Sequence, residues 1–183
     1  MTLARKICLL GASAVGKTSL VRRFVHNKYE DTYRTTLGGR RYDKSIIFDN
    51  KQVALVIQDL EGMDDPGSKY PVTSLDGVEG YMLVVDVTRP DTLDVVKSLI
   101  EISERQRKEC NPEEEPLEKV LRKEDLPFVL LINKQDILRD PAVANRAHEI
   151  FGEGTKVFET SAKTGDKVNE AFECLAKQMF DYL

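Results

Sequence analysis

The chain has 183 residues, with 27 lysines and arginines against 31 aspartates and glutamates and a net charge of −4. Its 41% hydrophobic and 32% charged residues describe one folded domain over 1–183 with its own core, excluding a disordered or membrane-embedded class. The acidic balance excludes general nucleic-acid binding, which needs a basic face, and the Arg40-Arg41 pair reads as a solvated strand edge.

In chain order, an apolar strand over Arg5–Leu10 runs into Gly11-Ala12-Ser13-Ala14-Val15-Gly16-Lys17-Thr18, and a helix follows Gly16. Strand, glycine loop and helix together form the context in which this spacing binds phosphate. The glycines let the backbone wrap so that amides point at phosphate oxygens, and the helix adds its unpaired N-terminal amides and positive dipole end. Ser13, Ala14, Val15, Gly16, Lys17, Thr18 and Ser19 form the phosphate-binding set. Lys17 supplies a point charge between terminal phosphates, and Thr18 offers a hydroxyl to Mg2+. The chain therefore reads as a nucleoside-phosphate binder, with Cys8 a small buried hydrophobe in the first strand.

Strands are then predicted over Tyr42–Asp49 and Gln52–Asp59, joined at Asp49-Asn50-Lys51 as an antiparallel hairpin. Asp64–Asp76 holds Pro66, Gly67 and Pro71 and lacks sustained periodicity. A strand over Gly80–Val87 precedes a helix after Pro90. The acidic insert at about 111–125 reads as a solvated loop with one short surface helix, a docking element being the alternative. Strands over Phe128–Asn133 and Lys156–Thr160 are followed by helices after Asp140 and Asp166. In the last helix Val168, Ala171, Phe172, Leu175, Met179 and Phe180 form one apolar stripe, read as core packing. Repeated strand–helix units predict an α/β fold: a mainly parallel six-stranded sheet with helices on both faces and one antiparallel hairpin.

The base is chosen by Asn133-Lys134-Gln135-Asp136 at the end of an apolar strand. The Asp136 carboxylate can accept both the ring N–H and the exocyclic amine of guanine, a donor pair that adenine lacks. Asn133 can tie the loop to its neighbours, and the Lys134 stem can cover the base plane. In Glu159-Thr160-Ser161-Ala162-Lys163 the Ala162 amide can reach the guanine carbonyl, with Ser161 and Lys163 beside it.

These elements, in this order, resemble the Ras-like small GTPases, nearest their Rab and Ras branches, over nearly the whole chain. The resemblance implies a P-loop GTPase domain that binds GTP and GDP with Mg2+ and hydrolyses GTP. It implies that Tyr29 packs on guanine and that Thr36 contacts the metal and terminal phosphate. Asp59 would hold the metal through water, and the Gly62 amide would touch the terminal phosphate. Thr18, Thr36 and Asp59 are then the metal set, and Lys17, Thr36 and Gly62 the catalytic set. Arg34 is either an arginine supplied in cis or a solvent-facing switch residue. Protein effectors and regulators, among them an exchange factor and an activating protein, would read the two switch loops.

The chain departs from the family pattern in three places. Met63 stands at the water-orienting glutamine position, Leu60-Glu61 replaces Thr-Ala, and Ala14 replaces a second central glycine. Ala14 is expected to be mild, its backbone keeping negative φ. Met63 cannot orient water, and the Glu61 charge is expected to repel a terminal phosphate. Both favour slow hydrolysis or, alternatively, a GTP-loaded scaffold that does not cycle alone. A P-loop kinase or ATPase is a third reading, disfavoured by Asp136 and Ala162. Cys8, Cys110 and Cys174 lack metal-ligand spacing and suit a reducing cytoplasm. Thr2 and the absence of a terminal cysteine box predict no lipid anchor, so membrane recruitment would run through a protein partner.

Overall fold

The computed structural model describes residues 3–30, 36, 38–48, 51–64, 70, 72–110 and 126–181. The acidic insert, Arg34 and the 49–50 turn lie outside the described residues. The strands are β1 (Leu3–Leu10), β2 (Gly39–Phe48), β3 (Lys51–Leu60), β4 (Gly80–Asp86), β5 (Phe128–Asn133) and β6 (Val157–Glu159). The described helices are α1 (Lys17–His26), α2 (Val72–Leu75), α3 (Thr92–Cys110), α4 (Pro141–Phe151) and α5 (Val168–Asp181).

The six strands form one sheet in the order β2-β3-β1-β4-β5-β6. Only the β2–β3 pair is antiparallel; the other neighbours are parallel. The expected fold is the one found. β2 begins three residues before the predicted Tyr42, because Gly39 pairs with Leu60 and carries the ladder through Arg40 and Arg41. Those exposed arginines hide the strand in the sequence, since an edge strand with solvated side chains loses the apolar alternation.

Side-chain alternation divides the core into two layers. Ile7 and Leu9 of β1 face a cluster with Val21, Phe24, Phe172 and Leu175 from α1 and α5. Cys8 and Leu10 face the opposite cluster, with Leu83, Val85, Leu93, Leu99 and Ala147. In the first layer Phe24 and Phe172 stack with ring centroids 4.0 Å apart. The whole of β4 is buried, as a central parallel strand covered on both faces must be. The predicted stripe of α5 packs inward, with Val168 through Met179 in the core and Phe180 against it. Asp140 caps α4 by accepting the Ala142 amide at 3.0 Å, with Pro141 opening the helix. α2 was not legible, since four residues are too short for a periodic signal. Among the described residues no helix is long and apolar enough to cross a membrane.

Candidate functional site: a phosphate loop joined to a base-reading loop

The carboxyl ends of β1, β3, β5 and β6 converge on one pocket, where parallel α/β sheets place their ligands. It is lined by Ser13, Ala14, Gly16, Lys17, Thr18 and Ser19 of the loop and α1, by Tyr29 and Thr36, and by Gly62. Asn133, Lys134, Asp136, Ala162 and Lys163 complete the predicted residues on its wall. Three others contribute from behind. Val15 sends its side chain into the core, Asp59 is reached through Thr18, and Ser161 is held against Asp136. Arg22, Lys28 and Arg40 also line the pocket, making its charge suit an anion.

The loop needs its glycines. Gly16 has φ 101°, and a Cβ there would come within 2.3 Å of Asn133 Nδ2. A Cβ on Gly62 would lie 2.4 Å from Ser13 Cα, so the second switch can meet the phosphate loop only without a side chain. Ala14 corrects the sequence reading: its φ is 60°, not negative. The loop turns through the left-handed region there, which costs an L-residue about 1–2 kcal/mol.

The buried Lys17 ammonium donates to the Gly11 and Ala12 carbonyls at 2.8 Å each. Burial pushes its pKa down to about 8, partly countered by the Asp59 carboxylate. Thr18 Oγ1 lies 2.6 Å from Asp59 Oδ2 and 2.8 Å from Thr36 Oγ1, so three oxygen-bearing side chains from separate segments meet. Asp59 is fully buried, its carboxyl is pushed up by that burial, and its Oδ1 has no hydrogen-bond partner among the described residues. An orphaned carboxylate oxygen beside two hydroxyls fits a small hard cation such as Mg2+, which takes oxygen ligands.

At the other end, Asn133 joins three loops. Its Nδ2 donates to the Val15 carbonyl at 2.9 Å, and its Oδ1 accepts the Ala162 amide at 3.1 Å. The Ala162 amide, predicted to reach a guanine carbonyl, is thus shared with Asn133. Ser161 donates to Asp136 Oδ1 at 2.6 Å and orients that exposed carboxylate, whose other lone pairs remain available. Arg23 of α1 clamps the same loop, donating to the Ala162 and Lys163 carbonyls at 2.8 and 2.5 Å.

The departures have structural consequences. Leu60 is a core residue. Glu61 faces the first switch: its Oε2 accepts the Gly38 amide at 3.2 Å while its own amide donates to the Gly38 carbonyl at 3.0 Å. The Met63 side chain packs against the second core cluster, and its amide reaches the Gly11 carbonyl at 3.3 Å. Asp64 accepts the Ser13 amide at 2.8 Å, and hydrogen bonding with Ser13, by its hydroxyl first and its amide second, holds the carboxyl below the usual range. Tyr70 donates to the Glu61 carbonyl at 3.2 Å, fastening the second switch from behind.

Sequence reasoning missed Arg23, Asp64, Asp86 and Arg89. Only Asp86, Thr88 and Arg89, polar residues at the end of a buried strand, offered a signal.

A glycine loop, a carboxylate–hydroxyl cluster and an exposed carboxylate on one mainly parallel sheet are the arrangement of the P-loop class of nucleotide-binding proteins. The Ras family model matches residues 6–181, and the chain belongs to that family. It is 31% identical over 177 residues to the "Ypt/Rab-type GTPase ypt7" of Schizosaccharomyces pombe, covering 94% of this chain and 80% of that protein. It is 31% identical over 182 residues to "Ras-related protein Rab-21" of Bos taurus, covering 98% and 75%. "GTP-binding protein ypt5" of S. pombe shares 31% over 183 residues, covering 98% and 79%. The chain is thus a Ras-like small GTPase on the Rab side of the family.

Proposed function

We propose that residues 1–183 act as one guanine-nucleotide switch that binds GTP and GDP with Mg2+ and hydrolyses GTP slowly. The observation that carries this reading is the meeting of Thr18 and Thr36, with Asp59 bonded to Thr18 from behind, in the same pocket as Asp136. Asp136, braced by Ser161, accepts the two guanine donors, while Ala162 and Lys134 flank the base. Tyr29, on the pocket wall, packs against it. Loop amides from Ser13 to Ser19 and the Lys17 ammonium hold the phosphates. Thr18, Thr36 and Asp59 hold the metal, which when bound neutralises charge between the terminal phosphates. Thr36 and the Gly62 amide follow the terminal phosphate, so both switch segments order with it and relax after its loss. Effectors and regulators read that change.

Slow turnover follows from the second switch. With Met63 packed on the core and Glu61 turned to Gly38, neither orients an attacking water. Losing one positioned polar group of this kind costs on the order of 100-fold in rate. The same two contacts favour the second reading, a GTP-loaded scaffold. Single-turnover hydrolysis by the parent and by Met63→Gln decides between them. The switch reading expects slow parent turnover that rises on the order of 100-fold in Met63→Gln. Rapid parent hydrolysis unchanged by the substitution would contradict the role of Met63. No detectable turnover in either protein would favour the scaffold.

A further inference from the structure

At the end of β4 the Asp86 side chain is only 1% exposed, yet it gathers two cations. Its Oδ1 accepts the Thr88 amide at 2.9 Å and the Thr88 hydroxyl at 2.7 Å, a local turn contact. Its Oδ2 accepts Lys134 Nζ at 2.5 Å and Arg89 Nε at 3.3 Å. Arg89 then reaches across to the phosphate loop, where Nη2 donates to the Ser13 carbonyl at 2.6 Å. A carboxylate serving only its own turn would need Oδ1 alone. The second oxygen instead holds a lysine from the base-reading loop and an arginine that grips the phosphate loop.

We infer that Asp86 is a positioning residue that couples the two halves of the nucleotide site, fixing Lys134 directly and the Ser13 turn through Arg89. The inference rests on the nucleotide-binding reading above. Three further observations support it. Asp86 is the cross-strand partner of Asn133, and the Val87 amide donates to the Asn133 carbonyl at 3.1 Å, so the carboxylate sits at the root of the base-reading loop. Lys134 has φ 71°, a left-handed conformation uncommon for lysine that persists only where surroundings fix it. Burial pushes the Asp86 carboxyl up, but the Lys134 and Thr88 hydrogen bonds win and hold it below its usual range. Charge-assisted hydrogen bonds in such a site are the strong kind, and removing the central charge strands both cations.

The test uses the full chain loaded with a fluorescent GDP, chased with excess GDP, for the parent, Asp86→Asn, Arg89→Gln and the double variant, with a melting temperature for each. Asp86→Asn is expected to release GDP on the order of 10- to 100-fold faster, as loss of one charged hydrogen-bond partner implies. Arg89→Gln should release it several-fold faster. Its melting temperature should stay near the parent's, because the Arg89 side chain is 40% exposed. Since both act through one chain of contacts, the double variant should release GDP about as fast as Asp86→Asn. Arg89→Lys should not restore slow release, because a lysine cannot span Asp86 and Ser13 together. Release within twofold of the parent in folded Asp86→Asn, or independent multiplication of the two effects, overturns the inference. If Asp86→Asn fails to fold, an unchanged release rate in Arg89→Gln overturns it. A parent that fails to bind fluorescent GDP overturns the nucleotide-binding reading itself, and the inference with it.

Discussion

Ala14 shows how a single backbone angle escapes the sequence. Alanine at that position is chemically bland, and nothing in its neighbours announces a left-handed turn. The turn follows from the loop's task, which is to carry the chain around an anion between β1 and α1. At φ 60° an alanine pays a steric penalty that glycine avoids, offset in part by glycine's greater unfolded-state entropy. Ala14→Gly is therefore expected to stabilise the protein by about 1 kcal/mol, raising the melting temperature by roughly 2–4 °C. A lower melting temperature would contradict the geometry. Cys8 presents the opposite case, a residue whose fate was legible. It is fully buried, and burial pushes its thiol up to about 12. A buried thiol held so far from ionisation is unreactive, so alkylation requires opening of the fold. Mass-spectrometric mapping should find Cys8 unmodified in native protein and modified after denaturation; equal labelling rates would place it at the surface.

At the level of elements, long apolar runs and capping residues were readable, while short or polar-edged ones were not. β4 and β5 were predicted to within a residue, because a strand buried on both faces is a continuous apolar run. α4 was announced by Asp140-Pro141, a cap followed by a proline at the first helical position. Asp140→Ala removes the acceptor for the Ala142 amide and should cost about 1 kcal/mol in urea unfolding, with an unchanged denaturant slope. No loss would mean that the cap contributes nothing. The start of β2 and the whole of α2 lacked such signals. The site residues divide the same way. Lys17, Thr18, Asp59 and Asp136 sit in motifs with fixed spacing, so the sequence alone marks them as candidates. Arg23, Asp64 and Arg89 act on groups 139, 51 and 76 residues away, and only the folded sheet brings them there.

At the scale of the molecule, the sheet order explains why the two halves of the site meet. β1 and β3 deliver the phosphate loop and Asp59, while β4 and β5 deliver Asp86 and the Asn133–Asp136 loop. Asn133 and Arg89 cross the seam between them. Two core layers, one on each face, hold the strands in register, so the site is built at the ends of packed strands. The central claim is that this frame reads guanine through Asp136. The most direct measurement compares GDP and xanthosine diphosphate affinity in the parent and in Asp136→Asn. The account predicts tight GDP binding by the parent and loss of a few kcal/mol in the variant, on the order of 100-fold or more, with xanthosine diphosphate becoming the preferred ligand because the amide donates to its extra carbonyl. A variant that binds GDP as tightly as the parent would contradict it.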